Sequence, residues 1–76
     1  MKILDLRGLN CPLPLLRTKK ALFAMTPGET LRIQTSDPNS PEDLRLFCEK
    51  SGNSLLEFAE ENGAYCFVIQ KSTVNL

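Results

Sequence analysis

Cys11 is followed by Pro12, Leu13 and Pro14, and this proline-flanked cysteine is where residue type and spacing together point to chemistry. A thiolate is a nucleophile and a thiol is not, so what matters at any cysteine is how its surroundings treat its proton. Cys11 lies between a short apolar strand and a run of good helix formers, and proline suits the first position of a helix. The sequence therefore predicts Cys11 as a helix N-cap. Pro12 and Pro14 delete two of the four N–H groups that a helix start leaves unpaired, which makes Leu13 and Leu15 the donors nearest the sulfur. The positive end of the helix dipole favours the thiolate, so Cys11 is expected to be the reactive thiol with a depressed pKa. The alternative is a small residue that only caps a helix; two prolines stiffen the turn more than a cap requires, although prolines also restrict the unfolded chain.

The chain holds three cysteines and no histidine. Without imidazole there is no Cys/His or Ser/His nucleophile pair, no His-ligated metal and no histidine acid–base catalysis. Cys11, Cys48 and Cys66 are odd in number, far apart and without CxxC spacing, which fits neither a disulfide framework nor a zinc knuckle. Free thiols in a reducing compartment are expected, with no metal. Cys48 falls on an apolar stripe with Leu44 and Phe47, and Cys66 lies in a strand between Tyr65 and Phe67, so both are expected to be packing residues.

The elements that position Cys11 follow from the rest of the chain. Seventy-six residues with 42% apolar content suffice for one domain over residues 1–76 and one small core. Nine basic and nine acidic residues cancel to zero net charge, which gives no global footprint for nucleic acid or an anionic membrane. No apolar run is long enough for a signal peptide or a membrane span, so a cytoplasmic protein without membrane insertion is expected. Residues Lys2 to Arg7 alternate as a half-buried strand and Pro12 to about Met25 read as a helix stopped by Pro27 and Gly28. Thr30 to Thr35 alternate again. A second helix opens with Ser40 as N-cap, Pro41 at the first position and Glu42 and Asp43 against the positive end of the dipole, and Gly52 ends it. Strands near Ser54 to Ala59 and Ala64 to Lys71 flank Asn62-Gly63, a dipeptide suited to a type I′ hairpin turn. Ser72 to Leu76 carry no pattern and are expected to fray. The order βαβαββ implies a two-layer α/β sandwich, a four-stranded mixed sheet with both helices on one face.

On the first helix, Leu15, Thr18, Leu22 and Met25 form the stripe that faces the sheet. Leu13, Leu16 and Phe23 fall off it and share the outward side with Arg17, Lys19 and Lys20. An apolar and basic docking patch beside Cys11 is one reading, an ordinary solvated face the other. Asp37-Pro38 reads as a turn into the second helix.

The segment LDLRGLNCPLPLLRTKKAL from Leu4 to Leu22 resembles the TusA-like (SirA/TusA) sulfur carriers, whose hallmark is a CPxP motif opening the first helix. The resemblance continues through PGETL at Pro27 to Leu31, SDP at Ser36 to Pro38, FCEKSGNSLLE from Phe47 to Glu57 and the closing hairpin. It implies the same βαβαββ sandwich, and it implies that Cys11 accepts sulfane sulfur as a persulfide from a cysteine desulfurase or rhodanese-like protein. A downstream acceptor protein then takes the sulfur, with no organic cofactor. Such a carrier is a relay substrate of other enzymes more than an independent turnover enzyme. The branch that feeds tRNA thiolation usually carries an acidic residue where Leu13 stands, and other branches serve sulfur oxidation, molybdenum cofactor assembly or selenium metabolism, so the resemblance leaves the pathway open.

Two further readings compete. A non-catalytic RNA- or protein-binding module would use an open sheet face, but direct RNA binding needs exposed aromatics, for which only Phe58, Tyr65 and Phe67 are candidates, and no net positive charge assists them. A thiol oxidoreductase or peroxidase would need a resolving thiol, which the missing CxxC argues against.

Overall fold

The computed structural model of the chain describes residues 1–72; the expected frayed tail lies, from residue 73 on, outside the described residues. The elements run β1 (Lys2–Leu6), α1 (Leu13–Phe23), β2 (Thr30–Thr35), α2 (Ser40–Ser51), β3 (Ser54–Glu61) and β4 (Ala64–Gln70). They form the expected α/β sandwich with a four-stranded mixed sheet. Its strand order, which periodicity does not specify, is β1-β2-β4-β3, with β1 and β2 parallel and the other two pairs antiparallel.

Alternation along each strand separates two faces. Leu4 pairs with Ile33, Leu31 with Ile69 and Ile33 with Phe67, so these residues share one side of the sheet. That side carries the core: Leu6, Leu31, Ile33, Phe67 and Ile69 are buried against Leu22 and Met25 of the α1 region and Leu44 and Cys48 of α2. Both helices therefore lie on one face, α1 over β1 and β2, α2 over β3 and β4. The opposite face presents Ile3, Asp5, Arg32, Gln34 and Cys66, and among the described residues no helix lies over it.

The connections bring the site together. Each of the parallel strands β1 and β2 is followed by a helix, so α1 and α2 both start at the same end of the sheet, where the strands' carboxyl ends lie. The hairpin that closes the fold has Asn62 and Gly63 at φ 52° and 79°, both left-handed, as a type I′ turn requires, and Glu61 pairs directly with Ala64 across it. Phe58 lies on the helix side, 5.2 Å from the Phe67 ring centroid and 6.3 Å from that of Tyr65. The aromatic candidates for stacking RNA bases thus face the helix layer, and the open face holds none of them.

Candidate functional site

Cys11 sits in the loop between β1 and α1, exposed at the carboxyl end of the parallel strands. Three interactions shape this loop. Leu9 N–H donates to the Leu6 carbonyl at 3.2 Å, Gly8 N–H, at φ 87°, donates to Ser36 Oγ at 2.8 Å, and Leu13 N–H donates to the Asn10 carbonyl at 2.9 Å. The Gly8–Ser36 bond ties the Cys11 loop to the loop that leads into α2. Beside it, the Arg7 guanidinium donates two hydrogen bonds to Asp5 and holds that carboxyl down at about 2.

Two local expectations are corrected here. The helix begins at Leu13 with Pro12 as its N-cap, so Cys11 lies one residue outside the cap and Pro14 takes the second helical position. The Leu13 N–H that was expected to reach the sulfur is occupied by Asn10. At α2 the shift is one residue in the opposite direction: Asn39 is the N-cap, without a side-chain capping bond, and Ser40 is the first helical residue, buried. Proline favours the first helical position but is accommodated at its neighbours, so residue type places a helix start only to within about one residue.

The larger correction concerns the thiol itself. Cys11 Sγ donates to Asp43 Oδ2 at 3.6 Å, across 32 residues of chain. The thiol pKa is raised, first by protein atoms that withhold hydration from the sulfur, then by the charge and hydrogen bond of Asp43, and then by the charge of Asp37. The expected depression is thus reversed, because the end of the sheet that offers a helix start from α1 also offers acidic side chains from α2 and the loop before it. Asp43 was legible only as an acidic residue favourable to its own helix, and Asp37, 7% exposed and accepting a hydrogen bond from Asn39 N–H at 3.3 Å, only as a turn former. The βαβ order holds a signal for both: two consecutive parallel strands must bring their following loops side by side.

The other sequence-identified residues divide among three places. Pro12 is exposed and Pro14 buried, so the first proline shapes the rim of the turn and the second anchors it to the interior. Leu13, Leu16 and Phe23 are exposed on the outward side of α1, Phe23 at 88%. Lys19 turns toward α2 instead. It lies 5.7 Å from the Phe47 ring centroid and, with Leu15, Asp43, Leu46, Phe47 and Lys50, lines a groove of about 400 Å³ between the helices. Arg17 and Lys20 flank the other side of α1, around a hollow shared with Lys2, Leu4 and Ala21. Cys48 is buried in the core and its thiol is pushed up by desolvation. Cys66 departs from a simple packing role: it is half-buried on the open sheet face, where its sulfur accepts a hydrogen bond from Arg32 at 3.5 Å. Among the described residues no cluster of three Cys, Asp or Glu side chains is placed to hold a metal ion.

The family model described as sulfurtransferase TusA matches residues 2–71. The chain belongs to the TusA family. The sulfur carrier protein TusA of Allochromatium vinosum is 49% identical over 69 residues, covering 91% of either chain. A putative sulfur carrier protein of Neisseria meningitidis is 43% identical over 67 residues, covering 88% of this chain and 90% of the relative. The crystal structure of a SirA-like protein from Desulfitobacterium hafniense superposes with a TM-score of 0.81 at 27% identity, covering 95% of this chain and 99% of the other. Sulfur carriage, which requires a donor and an acceptor of sulfur, is the role that TusA membership and these relatives support. The binding-module reading is not favoured. No helix among the described residues is long and apolar enough to cross a membrane.

Proposed function

We propose that residues 1–76 act as one sulfur-carrier domain that holds sulfane sulfur as a persulfide on Cys11 and passes it to an acceptor protein. The observation that carries this reading is the exposed Cys11 in a loop fixed at the shared start of both helices, within a chain whose relatives are sulfur carriers. Loading is an exchange without net redox change. The Cys11 thiolate attacks the outer sulfur of a donor persulfide, a new S–S bond forms at Cys11, and the donor's S–S bond breaks. The electron pair leaves on the donor sulfur, which takes up the proton that Cys11 gave up. Delivery repeats the step with an acceptor thiolate attacking the outer sulfur on Cys11. A raised thiol is ionised in a smaller fraction of molecules and is a stronger nucleophile when ionised, so the site trades thiolate population for intrinsic reactivity.

A cysteine desulfurase or a rhodanese-like protein is the proposed donor, and a cytoplasmic relay such as one feeding tRNA thiolation the proposed setting. Leu13, Leu16, Arg17, Lys19 and Lys20, all on α1, are the proposed partner contacts. Incubation with a desulfurase, its pyridoxal phosphate and cysteine, followed by intact-mass spectrometry, tests the reading. The expected result is a gain of about 32 Da, one sulfur, reversed by reductant, absent in Cys11→Ser and retained in Cys48→Ser/Cys66→Ser. A gain that survives Cys11→Ser would overturn the assignment.

A further inference from the structure

The bond from Cys11 to Asp43 has opposite consequences in the two states through which a carrier passes. Empty, Cys11 is a thiol whose S–H has an acceptor in Asp43 Oδ2 at 3.6 Å. Loaded, Sγ bears no hydrogen, and the outer sulfur is the acidic group. Hydropersulfides are stronger acids than the parent thiols, so at neutral pH that outer sulfur is an anion. A carboxylate that accepts a hydrogen bond from the first state is a like charge to the second. The charged groups that act on Cys11 from the packed elements are both acidic, Asp43 of α2 and Asp37 of the loop before it, while Arg7 on the Cys11 loop is engaged by Asp5.

We propose that Asp43 is a positioning residue that sets how firmly the carrier holds its cargo: its carboxylate stabilises empty Cys11 as a hydrogen-bonded thiol and repels the anionic outer sulfur of the loaded form, turning it outward for transfer. This rests on Cys11 being the persulfide site. On release, the acceptor thiolate takes the outer sulfur, the Cys11 S–S bond breaks with its electron pair on Sγ, and Sγ takes up the proton lost by the acceptor thiol. The hydrogen bond to Asp43 then re-forms. Neither an oxidant nor a reductant is consumed. The raised pKa of the empty thiol has the same sign as this role, because both reflect an anion disfavoured at Cys11.

Two readouts on the full chain test it. In the first, protein is equilibrated with mixtures of glutathione hydropersulfide and glutathione, and the loaded fraction is read by intact mass, with Cys11→Ser as blank. In the second, the rate of iodoacetamide alkylation at Cys11 is followed against pH; the rate rises as the thiol ionises, so a raised pKa places its midpoint above that of free cysteine. Asp43→Asn is expected to raise the loaded-to-empty ratio about three- to ten-fold and to move the alkylation midpoint to lower pH. Glu42→Gln removes a charge from the same turn of α2 and is expected to leave both at wild-type values. Should Asp43→Asn fail to fold by circular dichroism, Asp43→Ser removes the same charge and takes its place. Wild-type loading and midpoint in the folded variant, or an equal shift in Glu42→Gln, would overturn the proposal. A wild-type chain that takes up no sulfur would instead refute the carrier reading, and with it the role of Asp43 in holding cargo.

Discussion

Cys11, Cys48 and Cys66 have one side chain and three environments: a loop beside Asp43, the interior, and a sheet face under an arginine. Reactivity follows accessibility and the thiolate fraction, so burial alone removes Cys48 from competition. Iodoacetamide at neutral pH is expected to leave Cys48 unlabelled until urea unfolds the chain, as peptide mapping would show; native labelling as fast as at Cys11 would contradict the buried placement. The buried placement of Cys48 was legible from the apolar stripe around it, and the position of Cys11 ahead of the first helix from the prolines beside it. The state of its proton was not, because Asp43 lies 32 residues away and acts through space. A dipole argument on α1 alone sees one favourable end and misses the two carboxylates that the neighbouring connection brings to it.

At the level of elements, the strands and helices were legible where a local pattern is unambiguous. Asn62-Gly63 specifies its own turn because few residue pairs accept two left-handed positions, and Leu31 and Ile33 mark the buried face of β2 by alternation. Helix starts were displaced by one residue at both Pro12 and Ser40, since prolines and small polar residues are compatible with several adjacent positions. The outward side of α1 was identified by its 100° periodicity, yet its cations part company in space, Lys19 toward Phe47 and α2, Lys20 with Arg17 toward β1. If both flanks guide partners electrostatically, Lys19→Glu/Lys20→Glu slows sulfur delivery about three- to ten-fold at low salt while circular dichroism stays unchanged. Unchanged transfer kinetics across salt concentrations would remove α1 from the docking surface.

For the molecule as a whole, a single small core holds the shared helix-start end in register. β4 lies between β2 and β3, and its Phe67 is fully buried, against the helix layer and Phe58. Phe67→Ala is expected to cost about 3–5 kcal/mol in urea denaturation, a large part of the stability of a chain this short. A loss under about 1 kcal/mol would mean that the core does not depend on this ring. The strand order was beyond periodicity because alternation reports which face a residue occupies and not which strand is its neighbour. In the proposed relay one sulfur atom enters and leaves through Cys11. This is tested most directly by loading the carrier with radiolabelled sulfur from a desulfurase, mapping the label by proteolysis, and chasing with an acceptor thiol. Label is expected on the peptide that contains Cys11, with complete transfer to the acceptor. Label on the Cys48 or Cys66 peptide, or label on Cys11 that no acceptor thiol removes, would contradict it.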